Sequence, residues 1–398
     1  MIIMNFVIIG NGIAALSAAE SIRKNDKESK ITMISNEPYN TYFRIKLSHL
    51  LGHEYELEKL YVKPEPWYKS SNIDIMLKCS VNSVDIVKKT VHLNSGDDIK
   101  YDKLIIASGS HSFVPPVRGC DKKGVYAIRS LDDVNNLNQY IKGKKRGIVV
   151  GGGLLGLEAA WSLRQAGYEM NVIEFFPRLL PKQSDEEGSK IIENIIESNG
   201  IKLMLGTEVE EITGDAVDGV ILKDGRKVHA DFVIFSAGIR PNVDVVKGSG
   251  IKINKGILVD EFMRTNVDDV FAAGDVAEYN GKIYGLWTVA MAQGKNAGLN
   301  AVGMKTQYKE VPPSSTLKIT GVDVFSSGDI SGEKSTSYSH KEENVYYKLF
   351  IKDNKLVGAI LIGDISSSTK VKRAIDFEYD LREIIDSSKD AKSILEKL

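Results

Sequence analysis

The sequence is poor in cysteine. Its 398 residues contain two, Cys79 and Cys120, too few for a disulfide framework and without the CxxC or CxxxxC spacing of a paired redox thiol. Both read as buried or incidental thiols. The six histidines and two cysteines show no metal-ligand spacing, so no metal site is expected. Neither sign of charge dominates: 52 basic and 53 acidic residues leave a formal net charge of −1, which gives no reason to expect nucleic acid or an anionic membrane as partner. No apolar run approaches the roughly 20 residues that span a bilayer. The apolar start, Met1 to Ile9, lacks a basic flank and runs straight into a glycine turn. It reads as a first strand rather than a signal peptide, and a cytoplasmic protein is expected.

What is present is one glycine pattern, used twice. Gly10-Asn11-Gly12-Ile13-Ala14-Ala15 and Gly151-Gly152-Gly153-Leu154-Leu155-Gly156 stand 141 residues apart. Each follows an apolar run (Phe6–Ile9; Gly147–Val150) and opens a stretch with helical character (Ala14–Arg23; Leu157–Ala166). In that context the first glycine makes a tight turn, the second lets the backbone approach a pyrophosphate, and the third position packs helix on strand. The pyrophosphate sits on the free N–H groups of the helix start. Two such sites imply two dinucleotides on one protein, with electrons moving between them.

The rest of the chain falls in around these units. A second strand, Ile31–Ser35, completes the first βαβ unit, and residues 36–70 form a connection long enough to be an active-site segment. Asp74–Leu77 and Ser83–Leu93 are β-prone, and Lys103–Ala107 is a buried strand. Pro115-Pro116 and Gly119 mark one crossing between domains, and Ala237 to Asn242 a second. Between them lie strand Met170–Glu174, helix Glu186–Asn199 and a β-rich stretch at 201–235. Strand Val270–Ala273 and a helix from Thr288 to about Val302 follow. After Pro312-Pro313 come alternating strands (Val345–Ile351, Leu356–Ile362) and a terminal helix near Asp380–Lys397. The expected fold is α/β: two tandem three-layer dinucleotide-binding, Rossmann-like domains plus a small C-terminal α+β domain.

Two such folds, Ala107-Ser108-Gly109 at a strand end and the late Val270-Phe271-Ala272-Ala273-Gly274-Asp275 together resemble the pyridine-nucleotide–flavoprotein disulfide reductase superfamily. Tyr42-Phe43-Arg44-Ile45-Lys46-Leu47-Ser48-His49 and Glu174-Phe175-Phe176-Pro177-Arg178-Leu179-Leu180-Pro181 resemble a narrower group within it. That group holds NADH:rubredoxin reductases, flavorubredoxin reductases and the N-terminal part of NADH-dependent nitrite reductases. The resemblance implies FAD-binding segments at 1–113 and 240–311, an NADH-binding domain at 114–239 and a C-terminal interface or docking domain at 312–398.

For FAD it implies Gly10, Gly12, Ile13, Ala14 and Ala15 at the pyrophosphate, and Glu37 at the adenosine ribose, a surface turn carboxylate being the other reading of Glu37. Arg44 and Lys46 are implied near the flavin, with Val81, Ala107, Ser108, Gly109 and Arg129 as further contacts. Gly274 and Asp275 come at the ribityl chain, and Trp287 beside the ring or in plain core. The helix at Thr288 would favour the negative charge of reduced flavin. For NADH the implied set is Gly151, Gly153, Leu155 and Gly156 at the pyrophosphate, Glu174 at the ribose 2′-hydroxyl and Gly238 as a wall. A 2′-phosphate would meet like charge at Glu174, which favours NADH over NADPH. Arg178 either tolerates that phosphate or is solvated or structural. Glu158 either faces the contact of the two rings, paired with Lys46 or His49, or makes a structural ion pair; Glu158 and Lys46 are the positioning candidates for hydride transfer.

The cysteines that relatives carry shortly after the first glycine motif are missing between Tyr39 and Gly52. Electrons are therefore expected to pass from NADH through FAD to a separate small redox protein, with rubredoxin first. Ferredoxin, a flavodiiron protein or a nitrite-reducing partner are alternative acceptors, and a peroxide-forming oxidase or a signalling flavoprotein are rival readings. Monomer and homodimer both remain open.

Overall fold

The first strand, Asn5–Ile9, is buried on both faces beyond its first residue. Phe6 and Ile8 pack with Ala15, Ala18 and Ile22 of the helix Ile13–Asn25, whereas Val7 and Ile9 pack with Val84, Val91 and Leu93 on the other face. A strand covered on both sides belongs to a parallel sheet sandwiched between layers. The computed structural model, which describes residues 3–319 and 322–398, shows that sheet. Its strand order is Val270–Ala272, Lys103–Ile106, Asn5–Ile9, Lys30–Ile34, Ile73–Met76, all parallel. One face carries the antiparallel meander Val81–Asp85, Thr90–Leu93, Asp98–Lys100.

The arrangement is built a second time. Ile201–Leu205, Glu169–Glu174, Arg146–Val150, Phe232–Phe235 and Val125–Ala127 form another five-stranded parallel sheet, with its own meander at Val209–Thr213, Gly219–Leu222 and Lys227–His229. The echo extends to single bonds. Gly10 N–H donates to Ile34 O at 2.8 Å, and Gly151 N–H donates to Ile173 O at 2.8 Å.

The chain groups into two compact units. One comprises the chain up to Lys46 with Tyr55–His111 and Ile239–Glu310; the other comprises Leu47–Glu54, Ser112–Gly238 and the chain from Val311 onward. In the first, the helices Ile13–Asn25 and Trp287–Ala301 touch backbone to backbone. A Cβ at Gly294 would fall 2.1 Å from Ala14 O, and one at Gly298 2.4 Å from Ala18 O.

In the second, Leu47–Glu54 is fastened by side-chain bonds to backbone. Ser162 Oγ donates to Leu51 O (2.9 Å), and Asn138 accepts from Gly52 N–H (2.8 Å) while donating to Leu50 O (3.0 Å). The C-terminal part of that unit is an antiparallel sheet ordered Ser314–Ile319, Val322–Gly328, Lys355–Gly363, Tyr346–Lys352, Thr336–Lys341. It packs against the helices Ser368–Asp376 and Ala391–Lys397 through Val371, Ile375, Ile394 and Leu395. The single terminal helix expected from sequence is two, Arg382–Asp386 and Ala391–Lys397, because Asp390 and Ser393 form a capping box that starts a new helix.

Asp185 ties this C-terminal sheet to the helix Glu186–Ser198. It caps that helix, accepting from Gly188 N–H (3.0 Å), and also accepts from Tyr346 Oη and Lys348 Nζ, each at 2.7 Å. Burial pushes the carboxyl up, but the bonds from Lys348, Gly188 and Tyr346 outweigh it and hold its pKa below the ordinary carboxylate value. A depressed folded-state pKa stabilises above the unfolded value of about 3.9, and that stability is lost as pH falls through the folded value. Asp185→Ala should therefore cost roughly 1–3 kcal/mol at neutral pH. In urea unfolding the gap from wild type should narrow below about pH 4, and a gap independent of pH would remove the carboxylate as its source.

Candidate functional site

Both glycine turns are shaped by close backbone approach. Gly10 has φ +122°, and a Cβ there would lie 2.1 Å from Ala107 O; Gly151 has φ +125°, with a Cβ 2.4 Å from Ser236 O. No other residue fits those two positions. The second glycines differ in kind. Gly12 and Gly153 have ordinary backbone angles, stand at the N-caps of the helices Ile13–Asn25 and Leu154–Gln165 without a side-chain cap, and have nothing within 4 Å of where a Cβ would sit. Each cradle thus leaves open space in front of uncapped N–H groups, the form a pyrophosphate requires. At the third position Ala15 is fully buried, and Gly156 lets helix meet strand, since a Cβ would be 2.0 Å from Gly151 O.

Around the first cradle, Asn11 is buried and reaches into the long connection. It donates to Tyr39 O (2.9 Å) and accepts from Thr41 Oγ1 (2.5 Å). That places Glu37, Tyr42 and Arg44 together. Tyr42 Oη donates to Glu37 (2.7 Å), Arg44 donates to Tyr42 Oη (2.8 Å), and Arg44 forms an ion pair with Glu37. The carboxylate expected at the ribose and the guanidinium expected at the flavin therefore touch each other. Ser108 and Gly109 interlock with Asn242, through Ser108 Oγ to Asn242 O (2.8 Å) and Asn242 N–H to Gly109 O (2.9 Å). Asp275 accepts from Ser110 Oγ at 2.9 Å, and Gly274 N–H donates to the buried Gln293 side chain at 2.9 Å. Trp287 starts its helix and stacks on Phe43, ring centres 5.8 Å apart, while Lys46 Nζ lies 4.9 Å from the centre of the Phe43 ring.

In the second cradle Glu174 is 7% exposed and holds the turn in shape. One carboxylate oxygen accepts from Gly152 N–H (2.5 Å), the other from Phe176 N–H (2.8 Å). Gly152 makes room for this, since a Cβ would strike Leu179 at 2.6 Å and Glu174 at 3.1 Å. Each oxygen keeps a lone pair for a sugar hydroxyl. Arg178 is tied to the backbone by donation to Ser184 O (2.5 Å) and Pro181 O (3.2 Å). Leu155 and Phe175 are exposed beside this turn, and Gly238 has φ +98° with open space at its Cβ position.

Glu158, at 9% exposure, accepts from Ser48 Oγ at 2.6 Å. Burial pushes its carboxyl up, against the opposing pull of the Ser48 bond and of His49. Ser48 was absent from the residues singled out by sequence, because a neutral serine beside Lys46 and His49 carries no charge signal. Of the expected residues, the first unit holds Gly10, Gly12, Ile13, Ala14, Ala15, Glu37, Arg44, Lys46, Val81, Ala107, Ser108, Gly109, Gly274, Asp275 and Trp287. The second holds Arg129, Gly151, Gly153, Leu155, Gly156, Glu158, Glu174 and Gly238.

Residues 4–294 match the family model described as pyridine nucleotide-disulphide oxidoreductase. The chain belongs to that family. Residues 313–378 match a further model, the rubredoxin NAD+ reductase C-terminal domain. The chain is 34% identical to the NADH-rubredoxin oxidoreductase of Clostridium acetobutylicum, over 93% of this chain and 94% of that protein. It is 36% identical to a nitrite reductase [NAD(P)H] of Bacillus subtilis, over 95% of this chain but 48% of that one, so it spans about half the length of that relative. Among solved structures, NADH:rubredoxin oxidoreductase from Clostridium acetobutylicum superposes with a TM-score of 0.82 at 33% identity, covering 99% of this chain and 100% of that one. A NAD-dependent persulfide reductase from A. fulgidus gives 0.89 at 26% identity, covering 97% of this chain and 79% of that one.

As a pyridine nucleotide-disulphide oxidoreductase the protein uses FAD and a nicotinamide dinucleotide, and the two open cradles fit two pyrophosphates. Cys79 and Cys120 are free, and burial pushes the Cys79 thiol up, away from the reactive thiolate. Anaerobic dithionite titration should therefore take up about two electrons per chain, the capacity of one flavin. Uptake of about four would reveal a second redox centre.

Proposed function

We propose that this protein takes electrons from NADH and delivers them one at a time to a small separate redox protein, rubredoxin in first place. The observation that carries the reading is the pair of open glycine cradles, one in each unit, in a chain whose residues 313–378 match the rubredoxin NAD+ reductase C-terminal domain. In this reading the first unit holds FAD and the second holds NADH, with residues 312–398 serving the carrier. FAD supplies the conversion between a two-electron donor and a one-electron acceptor.

The chain's own residues bind and orient. Gly12 and Gly153 leave room for the phosphates, Glu174 takes the ribose and disfavours a 2′-phosphate, and Asp275 takes a ribityl hydroxyl. Glu158, held by Ser48, sets the charge of its surroundings. The uncapped start of the Trp287–Ala301 helix, with no acidic residue in its first turn, favours negative charge in front of it.

The likeness to half of a nitrite reductase supports a second reading, in which the acceptor is a nitrite-reducing partner. Anaerobic NADH oxidation against rubredoxin, ferredoxin, flavodiiron protein and a sirohaem-containing nitrite-reducing protein, with an aerobic arm for oxygen, tests both. Rubredoxin should give the highest rate. A rate with rubredoxin no faster than with oxygen would discard it and favour an oxidase.

A further inference from the structure

The two cradles hold their acidic residue by different means. Gly10 N–H bonds to Ile34 O in the first and Gly151 N–H to Ile173 O in the second, so Ile34 and Ile173 are equivalent positions. The residue after Ile173 is Glu174, whose carboxylate reaches back to Gly152 N–H. The residue after Ile34 is Ser35, and the carboxylate, Glu37, comes two positions later, past the end of the strand Lys30–Ile34. Asn11, the counterpart of Gly152, gives its side chain to Tyr39 O and Thr41. Ser35 Oγ accepts from Glu37 N–H (3.2 Å) and Glu37 O accepts from Lys78 N–H (3.1 Å). Those bonds fix the backbone of Glu37 and leave its carboxylate to be oriented by something else.

Tyr42 orients it. Its ring is buried, and its backbone is pinned on either side by Val62 N–H to Thr41 O and Phe43 N–H to Leu60 O, both 2.9 Å. The Tyr42 hydroxyl donates to Glu37 Oε2 at 2.7 Å and accepts from Arg44 Nη1 at 2.8 Å, while Arg44 Nη2 pairs with Glu37 Oε1. The three side chains thus close a ring of bonds. A guanidinium can only donate, so the single phenolic proton must point at Glu37, and the direction of every bond in the ring is set. Each Glu37 oxygen accepts one bond from this ring and keeps a lone pair. The Glu37 side chain is 16% exposed, so those lone pairs are not sealed in.

Two hydroxyls on neighbouring carbons, as in a ribose, match the two oxygens of one carboxylate. We propose that Tyr42 is a positioning residue for FAD: its hydroxyl fixes the plane of the Glu37 carboxylate so that the remaining lone pairs accept the 2′- and 3′-hydroxyls of the adenosine ribose. The proposal rests on the reading that the first unit holds FAD. Without the hydroxyl, Glu37 keeps its Arg44 bond but loses the second point that fixes its plane. In the second cradle the turn itself supplies that point through Gly152 N–H, and no tyrosine is needed.

The test is equilibrium binding of FAD, and of its analogue with 2′-deoxyadenosine, to the full chain stripped of flavin. Wild type should bind FAD at least about tenfold tighter than the analogue, the worth of one charge-assisted bond. Tyr42→Phe, which removes one oxygen and keeps the buried ring, should weaken FAD about tenfold and the analogue less than about threefold, so that the ratio collapses. In a Glu37→Ala background, Tyr42→Phe should add less than about twofold, because a residue acting through Glu37 has nothing left to position. The ratio is read within each variant, so general loosening of the fold cancels, and thermal melts of the stripped proteins record that loosening separately. Equal weakening of both ligands would make Tyr42 merely structural. Unchanged FAD affinity in Tyr42→Phe, or losses that multiply fully with Glu37→Ala, would also overturn the proposal. A wild type indifferent to the 2′-hydroxyl would remove Glu37 from the ribose. Retention of FAD by Gly12→Val would put FAD outside the first cradle and end the underlying reading together with the proposal.

Discussion

Gly153→Val should all but abolish reduction by NADH while leaving a folded, yellow protein. The position has ordinary helix-start backbone angles and empty space where the side chain would go, so the fold accepts valine. That empty space is where the pyrophosphate belongs, and a branched side chain there blocks it from the helix N–H groups. The affinity for NADH should fall at least about a hundredfold, about 2.7 kcal/mol. Gly12→Val should do the same for FAD and give a colourless protein. Gly151→Ala is the contrasting case, because its methyl group would be forced to 2.4 Å from Ser236 O at φ +125°, and the protein should lose stability as well. Equilibrium binding, visible absorbance and thermal melts separate the three. If Gly153→Val binds NADH normally, the second cradle is not the nicotinamide site.

Glu174 should decide between the two nicotinamide cofactors. Wild type should strongly prefer NADH, because a 2′-phosphate would be brought against a buried carboxylate already engaged by Gly152 and Phe176. Glu174→Gln keeps the shape and removes the charge, but its NH2 replaces one of the two accepting oxygens and leaves one of the Gly152 and Phe176 N–H groups without its partner; the preference should narrow by roughly 1.5–3 kcal/mol, about 10- to 150-fold in the ratio of kcat/KM. Glu174→Ala should in addition destabilise the turn, since two backbone donors lose their partner. Equal use of both cofactors by wild type would mean that Glu174 serves the turn alone. Arg178, bound to Ser184 and Pro181 carbonyls, is poorly placed to offset the charge.

The sheets and the turns between strand and helix were legible because they are written in short windows. An apolar run, two glycines at fixed spacing and an apolar helix start lie within about twenty residues, and the same grammar occurs twice. What stayed hidden depends on contacts between distant residues. Asn11 with Thr41, and Ser48 as the partner of Glu158 across 110 positions, rest on neutral Asn, Thr and Ser side chains whose meaning appears only once the chain is folded. The 36–70 connection gave no periodic signal because it folds as 3₁₀ turns at Arg44–Leu50 and Leu57–Leu60 and one short helix, Glu65–Ser70. The break in the terminal helix was readable in principle, since Asp390 and Ser393 are capping residues at capping spacing.

Double-mixing stopped flow tests the central claim most directly. The enzyme is first reduced anaerobically with one equivalent of NADH and then mixed with excess oxidised rubredoxin over a range of salt. About two rubredoxins should be reduced per NADH, as a one-electron carrier demands. The second step should be rapid at low salt and fall steeply toward about 0.5 M, where screening acts within roughly 4–5 Å. Reduction by NADH, a contact reaction, should change far less. A carrier step insensitive to salt and no faster than reoxidation by oxygen would contradict the account.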